Sequence, residues 1–460
     1  MSFPVYPEYK NSGIDWLQEV PKAWEIKPLK YLLNLNPRKS DFDGDKQQLC
    51  SFVPMEKLKT GEVILDEQRP IEDVIGGYTF FQDGDVLQAK VTPCFENKNV
   101  ALAKELINGV GFGSSEINVL RPKDQVDPKY LFYRVQEDAY MEFCTSSMIG
   151  AGGLRRVPSE LINNFAVAVP TIKEQTQIAR FLDHETAKID ALIHEQERLI
   201  ELLQEKRQAV ISHAVTKGLA PGVPMKDSGV EWLGEVPAHW QMIPLKYLCS
   251  FSGGGTPAKE NLEYWNGEIP WVSPKDMKSL WISASIDRIT NIAVAESSTS
   301  LVKPNAVLMV VRSGILQRTI PVGINIVDVT LNQDMKALRF FVDGFQRYFV
   351  FLIKGFEPSW LLEWRKQGAT VESIEQEYLA ESLVPVPPIE EADAIVSKMD
   401  GIASQYQSLE DEARNSSKLL KERRSVLISA AVTGKIDVRD WQQPADESAY
   451  DEEVRQTGME

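Results

Sequence analysis

The sequence predicts an α+β chain: two mixed α/β domains, each followed by a long helix, related by a pseudo-two-fold internal duplication, the two helices forming an antiparallel coiled coil. Three observations lead there. Lys10–Leu32 (KNSGIDWLQEVPKAWEIKPLKYL) returns as Lys226–Leu248 (KDSGVEWLGEVPAHWQMIPLKYL) at an offset of 216, with 14 of 23 positions identical. Glu205–Thr216 (EKRQAVISHAVT) returns as Glu422–Thr433 (ERRSVLISAAVT) at an offset of 217, with 7 of 12 identical. Apolar residues also recur at heptad spacing ahead of each closing segment. A period near 216 residues is far too long for a solenoid unit, so the repeat is a duplicated domain with its tail.

The domains follow in order. Residues 1–170 form the first, and strand-like runs at Asp85–Val91 and Phe165–Val169 are bounded by turn signals at Gly76-Gly77, Asp83-Gly84 and Gly150–Gly153. A helix is expected over Pro128–Phe143. Residues 171–218 form the first long helix, opened by the capping pattern Thr171-Ile-Lys-Glu174 after Pro170 and stopped at Gly218. Its seam places Ile178, Leu192 and Leu199 on one heptad line and Leu182, Ile189, Leu203 and Val210 on the other, with Glu185, Gln196 and Lys206 as interruptions. Residues 219–387 form the second domain, with the glycine turn Gly253–Gly255, a strand at Ala306–Val311 and a helix at Phe345–Phe356. Residues 388–434 form the second long helix, ending at Gly434. Shifted by 217, its seam reads Ile395, Ile402, Leu409 on one line and Met399, Tyr406, Ala413, Leu420, Leu427 on the other. Forty-odd residues at 1.5 Å each make a rod of roughly 60 Å. Two amphipathic helices lying on unrelated cores would show apolar faces as well, but matched seams in two copies favour mutual pairing. Residues 435–460 form an acidic tail, expected to be flexible.

Composition narrows the function. The chain has 460 residues, a formal net charge of −16 and 43 % hydrophobic residues, so it is neither disordered nor fibrous. Eight acids against two arginines in residues 436–460 supply −6 of that charge. The remaining −10 excludes a protein that coats nucleic acid indiscriminately; any nucleic-acid site has to be a local patch. The start MSFPVYPEYK has no apolar core of a signal peptide, and no apolar run is long enough to cross a bilayer. Four scattered cysteines without a CxxC pair suggest neither a zinc knuckle nor a disulfide framework, so a reduced, cytoplasmic protein is expected.

Catalytic motifs are missing from the sequence. There is no GxxxxGK[ST] loop, no HExxH and no nucleophile elbow, and Gly109–Gly113 lacks a dinucleotide-binding register. His184, His194 and His213 of the first rod align with Gly401, Asp411 and Ala430 of the second, so they read as solvated helix residues and no metal site is expected. The positive signal is geometric: a two-fold frame carrying two unlike domains suits a ligand with a two-fold backbone and unlike halves, as duplex DNA is. Candidate DNA contacts in the first domain are Lys90, Lys98, Asn99, Arg155 and Arg156, the arginines sitting beside a glycine loop in GAGGLRRV. In the second they are Lys259, Arg312, Gln317, Arg318, Arg365 and Lys366. A solvated turn would carry the same residues. The repeated pairs Trp16/Trp24 and Trp232/Trp240 could stack on bases, but they lie in the shared lead, which points to packing of each domain against a rod end.

These segments resemble the specificity subunit of type I restriction–modification systems over nearly the whole chain, to about residue 435. Both leads resemble that family's opening. Ser252–Met277 (SGGGTPAKENLEYWNGEIPWVSPKDM) and Val311–Asn325 (VRSGILQRTIPVGIN) are similar to one branch of its target recognition domains, and Pro170–Leu219 resembles its central helix. Leu49–Ile64 (LCSFVPMEKLKTGEVI) in the first domain resembles another branch, which makes unlike half-sites the expectation. The resemblance implies a non-catalytic subunit whose two target recognition domains each read half of a bipartite, asymmetric site in double-stranded DNA. It implies that the coiled coil sets the gap and docks two adenine-methylating modification subunits, with motor-nuclease restriction subunits joining them. S-adenosylmethionine, ATP and Mg²⁺ would then belong to the partner subunits, with none bound by this chain and no membrane involved. A specificity chain serving a methyltransferase without cleavage, or a coiled-coil scaffold for proteins alone, are the other readings the sequence allows.

Overall fold

The computed structural model describes residues 3–151, 153–366 and 371–444. They divide into two compact units, Met1–Glu197 with Asn415–Glu460, and Arg198–Arg414. Both long helices contribute to both units: Ile172–Lys217 and Ile389–Val432.

In the first unit the repeated lead makes a small antiparallel ribbon, Tyr9–Asn11 against Glu19–Pro21. The Ser12-Gly13 turn that opens it needs Gly13 at φ +72°, and the Ser12 hydroxyl accepts from the Ile14 amide at 3.1 Å. The same ribbon and turn recur in the second unit, Met225–Asp227 against Glu235–Pro237 with Gly229 at φ +75°. Identity between the leads therefore encodes a backbone shape. The next strand, Glu25–Pro28, pairs with Ala166–Val169 just before the first long helix; in the second unit Gln241–Pro244 pairs with Leu383–Val386. Each domain is thus closed by pairing the strand after its lead ribbon with its last strand.

Between those strands the two units diverge. The first has two four-stranded sheets: Leu33–Leu35, Ile117–Pro122, Val86–Ala89, Val100–Leu102 in that order, and Gln68–Pro70, Leu49–Val53, Val110–Gly113, Thr79–Gln82. The glycine cluster at 109–113 belongs to the second of these. A Cβ on Gly111 would lie 2.1 Å from the Phe81 ring, so close strand–ring packing explains it. The second unit has a five-stranded sheet, Cys249–Gly253, Met335–Phe340, Val307–Val310, Val322–Asn325, Trp281–Ile282, and a three-stranded one, Asp287–Ile289, Trp265–Val272, Thr330–Leu331. One large apolar core spans this unit, from Ile211 through Met399.

Several expectations need correction. The helix expected over Pro128–Phe143 is two helices, Pro128–Arg134 and Asp138–Ser146, because the Glu137 carboxylate caps a new start by accepting from the Ala139 and Tyr140 amides at 3.0 Å. The acidic tail is ordered in its first part: Ile436, Val438 and Trp441 pack into the apolar cluster around Phe181, and the Asp437 amide donates to the Pro4 carbonyl at 2.8 Å. Residues 445–460 of that tail lie outside the described residues, as do Gly152 and residues 367–370. His184 is not solvated; its ring lies 5.3 Å from that of Trp441.

The helix seams differ from expectation in the same way in both copies. The lines through Leu182, Ile189, Leu203, Val210 and through Met399, Tyr406, Ala413, Leu420, Leu427 do face inward. On the other expected line Ile178 and Ile395 are buried and Ile402 packs on the core, but beyond them the inward line runs one residue later, through Thr186, Ile193, Arg207 and Ala214 in one helix and Glu410, Ser417, Arg424 and Ala431 in the other. Leu409 is 41 % exposed while Glu410 beside it is 5 % exposed. Leu192 and Leu199 are exposed likewise. Ion pairs join the two helices, and those of Arg207, Glu410 and Arg424 start from the inward line. In the first unit Arg424 meets Asp190 at 2.8 Å and Lys421 meets Glu197 at 3.1 Å, so the helices run in opposite directions there. In the second, Arg207 meets Glu410 at 3.5 Å.

Candidate nucleic-acid interface

The lead tryptophans hold the frame. Trp24 is buried and its indole N–H donates to Glu174, at the start of the first long helix, at 3.1 Å. Trp240 repeats this on Glu391 at the start of the second, also at 3.1 Å. Trp16 stacks on Phe165 with ring centres 4.9 Å apart, and Trp232 packs edge-on to Trp360 at 4.5 Å. Each of the four is thus committed to ring or hydrogen-bond partners inside the protein, which speaks for packing rather than for a base platform.

The domains carry their candidate residues at one equivalent place. In the first unit the strand Val86–Ala89 runs out at Lys90, and a two-stranded hairpin, Ile149–Ala151 with Leu154–Arg156, docks on the chain that follows. The Val157 amide donates to the Lys90 carbonyl and the Thr92 amide to the Arg155 carbonyl, both at 3.0 Å. In the second unit the strand Val307–Val310 runs out at Val311. The Ile374 amide donates to the Val311 carbonyl at 2.8 Å, and the Ser313 amide to the Glu372 carbonyl at 3.0 Å. Arg156 and Ser373 therefore occupy the same position in the two docking patterns, bridged to Val91 and Arg312 respectively. Two domains with different sheets present a returning segment in the same register beside the end of a central strand.

The residues on these segments are exposed. On the first hairpin every residue described is exposed, including Ile149 at 70 % and Leu154 at 55 %. Arg155 and Arg156 stand half exposed, paired with Glu96 at 3.0 Å and Glu116 at 2.7 Å. In the second unit Gln317, Arg318 and Arg365 come together in one cleft of about 370 Å³ with Leu361 and Ser373. Arg365 is ion-paired with Glu372, and Lys366 with Glu375 at 3.0 Å. A larger cleft of about 830 Å³ opens beyond Ser313 and holds Lys259. Arg312 stands beside it, 3.9 Å from Asp334.

Two candidates are placed elsewhere. Lys98 donates to the Gln136 carbonyl at 3.1 Å, to Asp138 at 2.9 Å and to Ser425 of the second long helix at 2.9 Å, which makes it a tether within the first unit. Asn99 donates to the Leu58 carbonyl at 3.0 Å and holds a loop. Lys275 and Gln333 also line the larger cleft, outside the residues the sequence singles out. Lys275 lies within Ser252–Met277, whose length gave no reason to single it out. Gln333, which hydrogen-bonds Thr256, sits in a polar break between apolar strands, LNQDM, the one local signal that could have found it.

Burial sets the ionisation of the thiols. Desolvation pushes the Cys144 and Cys249 thiols up to about 12 and that of Cys50 to about 11, so none is a nucleophile at neutral pH. Among the described residues no group of three or more His, Cys, Asp or Glu side chains is arranged to hold a metal, and no helix is long and apolar enough to cross a membrane.

Comparison with known proteins bears on this geometry. Residues 78–202 and 237–416 match the family described as the type I restriction modification DNA specificity domain. The specificity subunit of the type I restriction enzyme EcoR124I/EcoR124II from Escherichia coli is 35 % identical over 229 residues, 49 % of this chain and 51 % of that protein. The chain thus spans about half the length of that relative. Among solved structures, one described as showing complex assembly and conformational transition of the type I R-M system superposes with a TM-score of 0.67 at 19 % identity, over 90 % of this chain and 98 % of the other. The HsdS subunit from Thermoanaerobacter tengcongensis superposes with a TM-score of 0.53 at 17 % identity, over 92 % and 99 %. These two likenesses speak for the fold.

Proposed function

Because the chain belongs to the type I restriction modification DNA specificity family, we propose that it is the non-catalytic sequence-reading subunit of such a system. Each domain reads one half of a bipartite, asymmetric site in duplex DNA. The observation that carries this is the pair of returning segments, docked in one backbone register on two different sheets yet bearing unlike side chains: Arg155 and Arg156 on one, Glu372 and Ser373 at the same positions on the other, with Arg365 bridged opposite Ile374 and Gln317 and Arg318 in the neighbouring cleft. Equal placement with unequal chemistry is what two half-sites of different sequence require, since base-edge patterns are matched by side-chain type at a fixed approach.

The long helices pair as an antiparallel coiled coil that sets the gap between half-sites. Their outward leucines support a docking role. Leu192 and Leu409 stand at equivalent positions, as do Leu202 and Leu419, and all four are exposed while polar residues fill the inward line. Surfaces repeated in this way suit two copies of one partner, the adenine-methylating modification subunits. In this reading S-adenosylmethionine, ATP and Mg²⁺ are bound by the modification and motor-nuclease subunits and none by this chain.

The test is to map adenine methylation across the host genome with and without the gene, and again after the first domain is replaced by that of another family member. A bipartite motif should vanish with the gene, and the exchange should alter one half only. Loss of no motif, or a change in both halves, overturns the reading.

A further inference from the structure

We propose that Glu96 and Glu116 are specificity-determining residues, holding Arg155 and Arg156 in internal ion pairs so that the hairpin gives up those pairs only to DNA of the right sequence. The inference rests on the DNA-reading function proposed above. An arginine with all five donors free binds any phosphate it meets, and a reader built that way would be held along the whole genome. Here each guanidinium already has a carboxylate, Arg155 with Glu96 at 3.0 Å and Arg156 with Glu116 at 2.7 Å, although both arginines are half exposed.

The Glu116 site is built to make the exchange costly. One carboxylate oxygen takes Arg156; the other is buried without a hydrogen-bond partner among the described residues. Withdrawing Arg156 would leave a partly enclosed carboxylate without its counter-ion, which is unfavourable unless new contacts compensate. Random DNA supplies one phosphate contact per arginine. A cognate sequence supplies a bidentate guanine contact in addition, and only that sum exceeds the pair that is lost. Lys90 follows the strand directly opposite Glu116, its amide donating to the Glu116 carbonyl at 3.0 Å, so the main chain that carries the carboxylate is held in place. The second domain repeats the device with other residues, Arg365 on Glu372 and Lys366 on Glu375. Two domains of unlike sequence thus both neutralise from within the cations that face outward.

The experiment uses the full-length chain, co-expressed with the subunits of its system, as wild type, as Glu96→Gln, and as Glu96→Gln with Glu116→Gln. The probes are a random-sequence 30-base-pair duplex and a duplex selected by the wild type from a random library. The double variant is expected to bind the random duplex about twofold to thirtyfold more tightly, the range two exposed ion pairs allow. Its plot of log affinity against log salt should steepen by about 0.9 for each arginine released, and its preference for the selected duplex should fall. Glu96 has no buried oxygen left without a partner, as Glu116 does, although both side chains are 28 % exposed, so the single variant gives the same direction, at a smaller size, should the double one fold poorly. Unchanged affinity and slope on the random duplex, or a preference that rises, overturns the proposal. If the wild type selects no sequence at all, the DNA-reading function fails instead.

Discussion

Lys98 separates a DNA contact from a structural tether, and replacing it with methionine decides between them. The substitution keeps the stem and removes the ammonium, with its hydrogen bonds to the Gln136 carbonyl, Asp138 and Ser425. A buried bond to a charged group is worth about 1.5–3 kcal/mol. The Asp138 carboxylate is 54 % exposed and keeps a 2.5 Å bond from Ser425, so solvent screening reduces the loss to about 1 kcal/mol. In a unit of this size that lowers the melting temperature by about 2–4 °C. The assay is thermal and urea unfolding of the full chain beside a salt titration of DNA affinity. A phosphate contact would make the log–log salt slope shallower by about 0.9; a tether leaves it unchanged. Wild-type stability with a shallower slope would refute the assignment.

Other expectations follow from the same contacts. Gly434→Ala should cost about 2–4 kcal/mol in urea unfolding: at φ +76° a side chain is strained, and its Cβ would fall 2.4 Å from Pro21 Cδ and 3.2 Å from Trp24. Gly13→Ala, at φ +72° with nothing within 4 Å, should cost only about 1 kcal/mol, and equal losses would show that contact with Pro21 is not felt. Burial tends to raise the Asp138 carboxyl, but hydrogen bonds from Ser425 and Lys98 outweigh it and hold it below the ordinary range; Arg439 does the same for Asp437. A depressed carboxyl contributes fully above its unfolded value and loses that contribution as pH falls through the folded one. Stability of the first unit should therefore be level from pH 7 to about 5 and drop below about 4. Asp138→Asn should lessen the drop, and an identical acid profile would count against this origin.

The frame was legible in the sequence because its residues act locally or repeat. The SG turns, the capping Thr171 and the stops at Gly218 and Gly434 each fix a short backbone shape, and duplication doubled every signal. The phase of the second seam line was misread for a physical reason. Leucine spacing predicts the inward face, yet Arg207, Glu410 and Ser417 occupy that line while Leu192, Leu199 and Leu409 face outward. Hydrophobic periodicity identifies an apolar stripe; it does not say whether the stripe is covered. Sheet order was illegible because its strands are two to eight residues long and partners lie far apart, as in the parallel pair of Leu49–Val53 with Val110–Gly113. Arg155 and Arg156 could be found as a basic pair beside a flexible loop. That they share a register with Ser373 needed the backbone hydrogen bonds. Lys98 was misassigned because its partners Gln136 and Ser425 lie 38 and 327 residues away.

The way the two copies diverge now has an explanation in their contacts. The buried residues shared by the two leads are consumed inside the frame: Trp24 and Trp240 on the helix-start glutamates, Pro21 and Pro237 against the helix-end glycines, Leu29 and Leu245 in the cores, while Tyr31 and Tyr247 stay exposed. Those contacts flank the pairing of the strand after each lead with the domain's last strand, so the chain between can change its sheets without disturbing the helices. The one place where that freedom stops is the end of the central strand, where Lys90 and Val311 both accept an amide from the returning segment. A backbone bond tolerates any side chain, so this junction keeps its geometry while the residues facing outward vary. Divergence of sequence with constancy of approach is therefore a property of main-chain hydrogen bonding at this junction, and it is what allows one frame to carry two unlike reading surfaces.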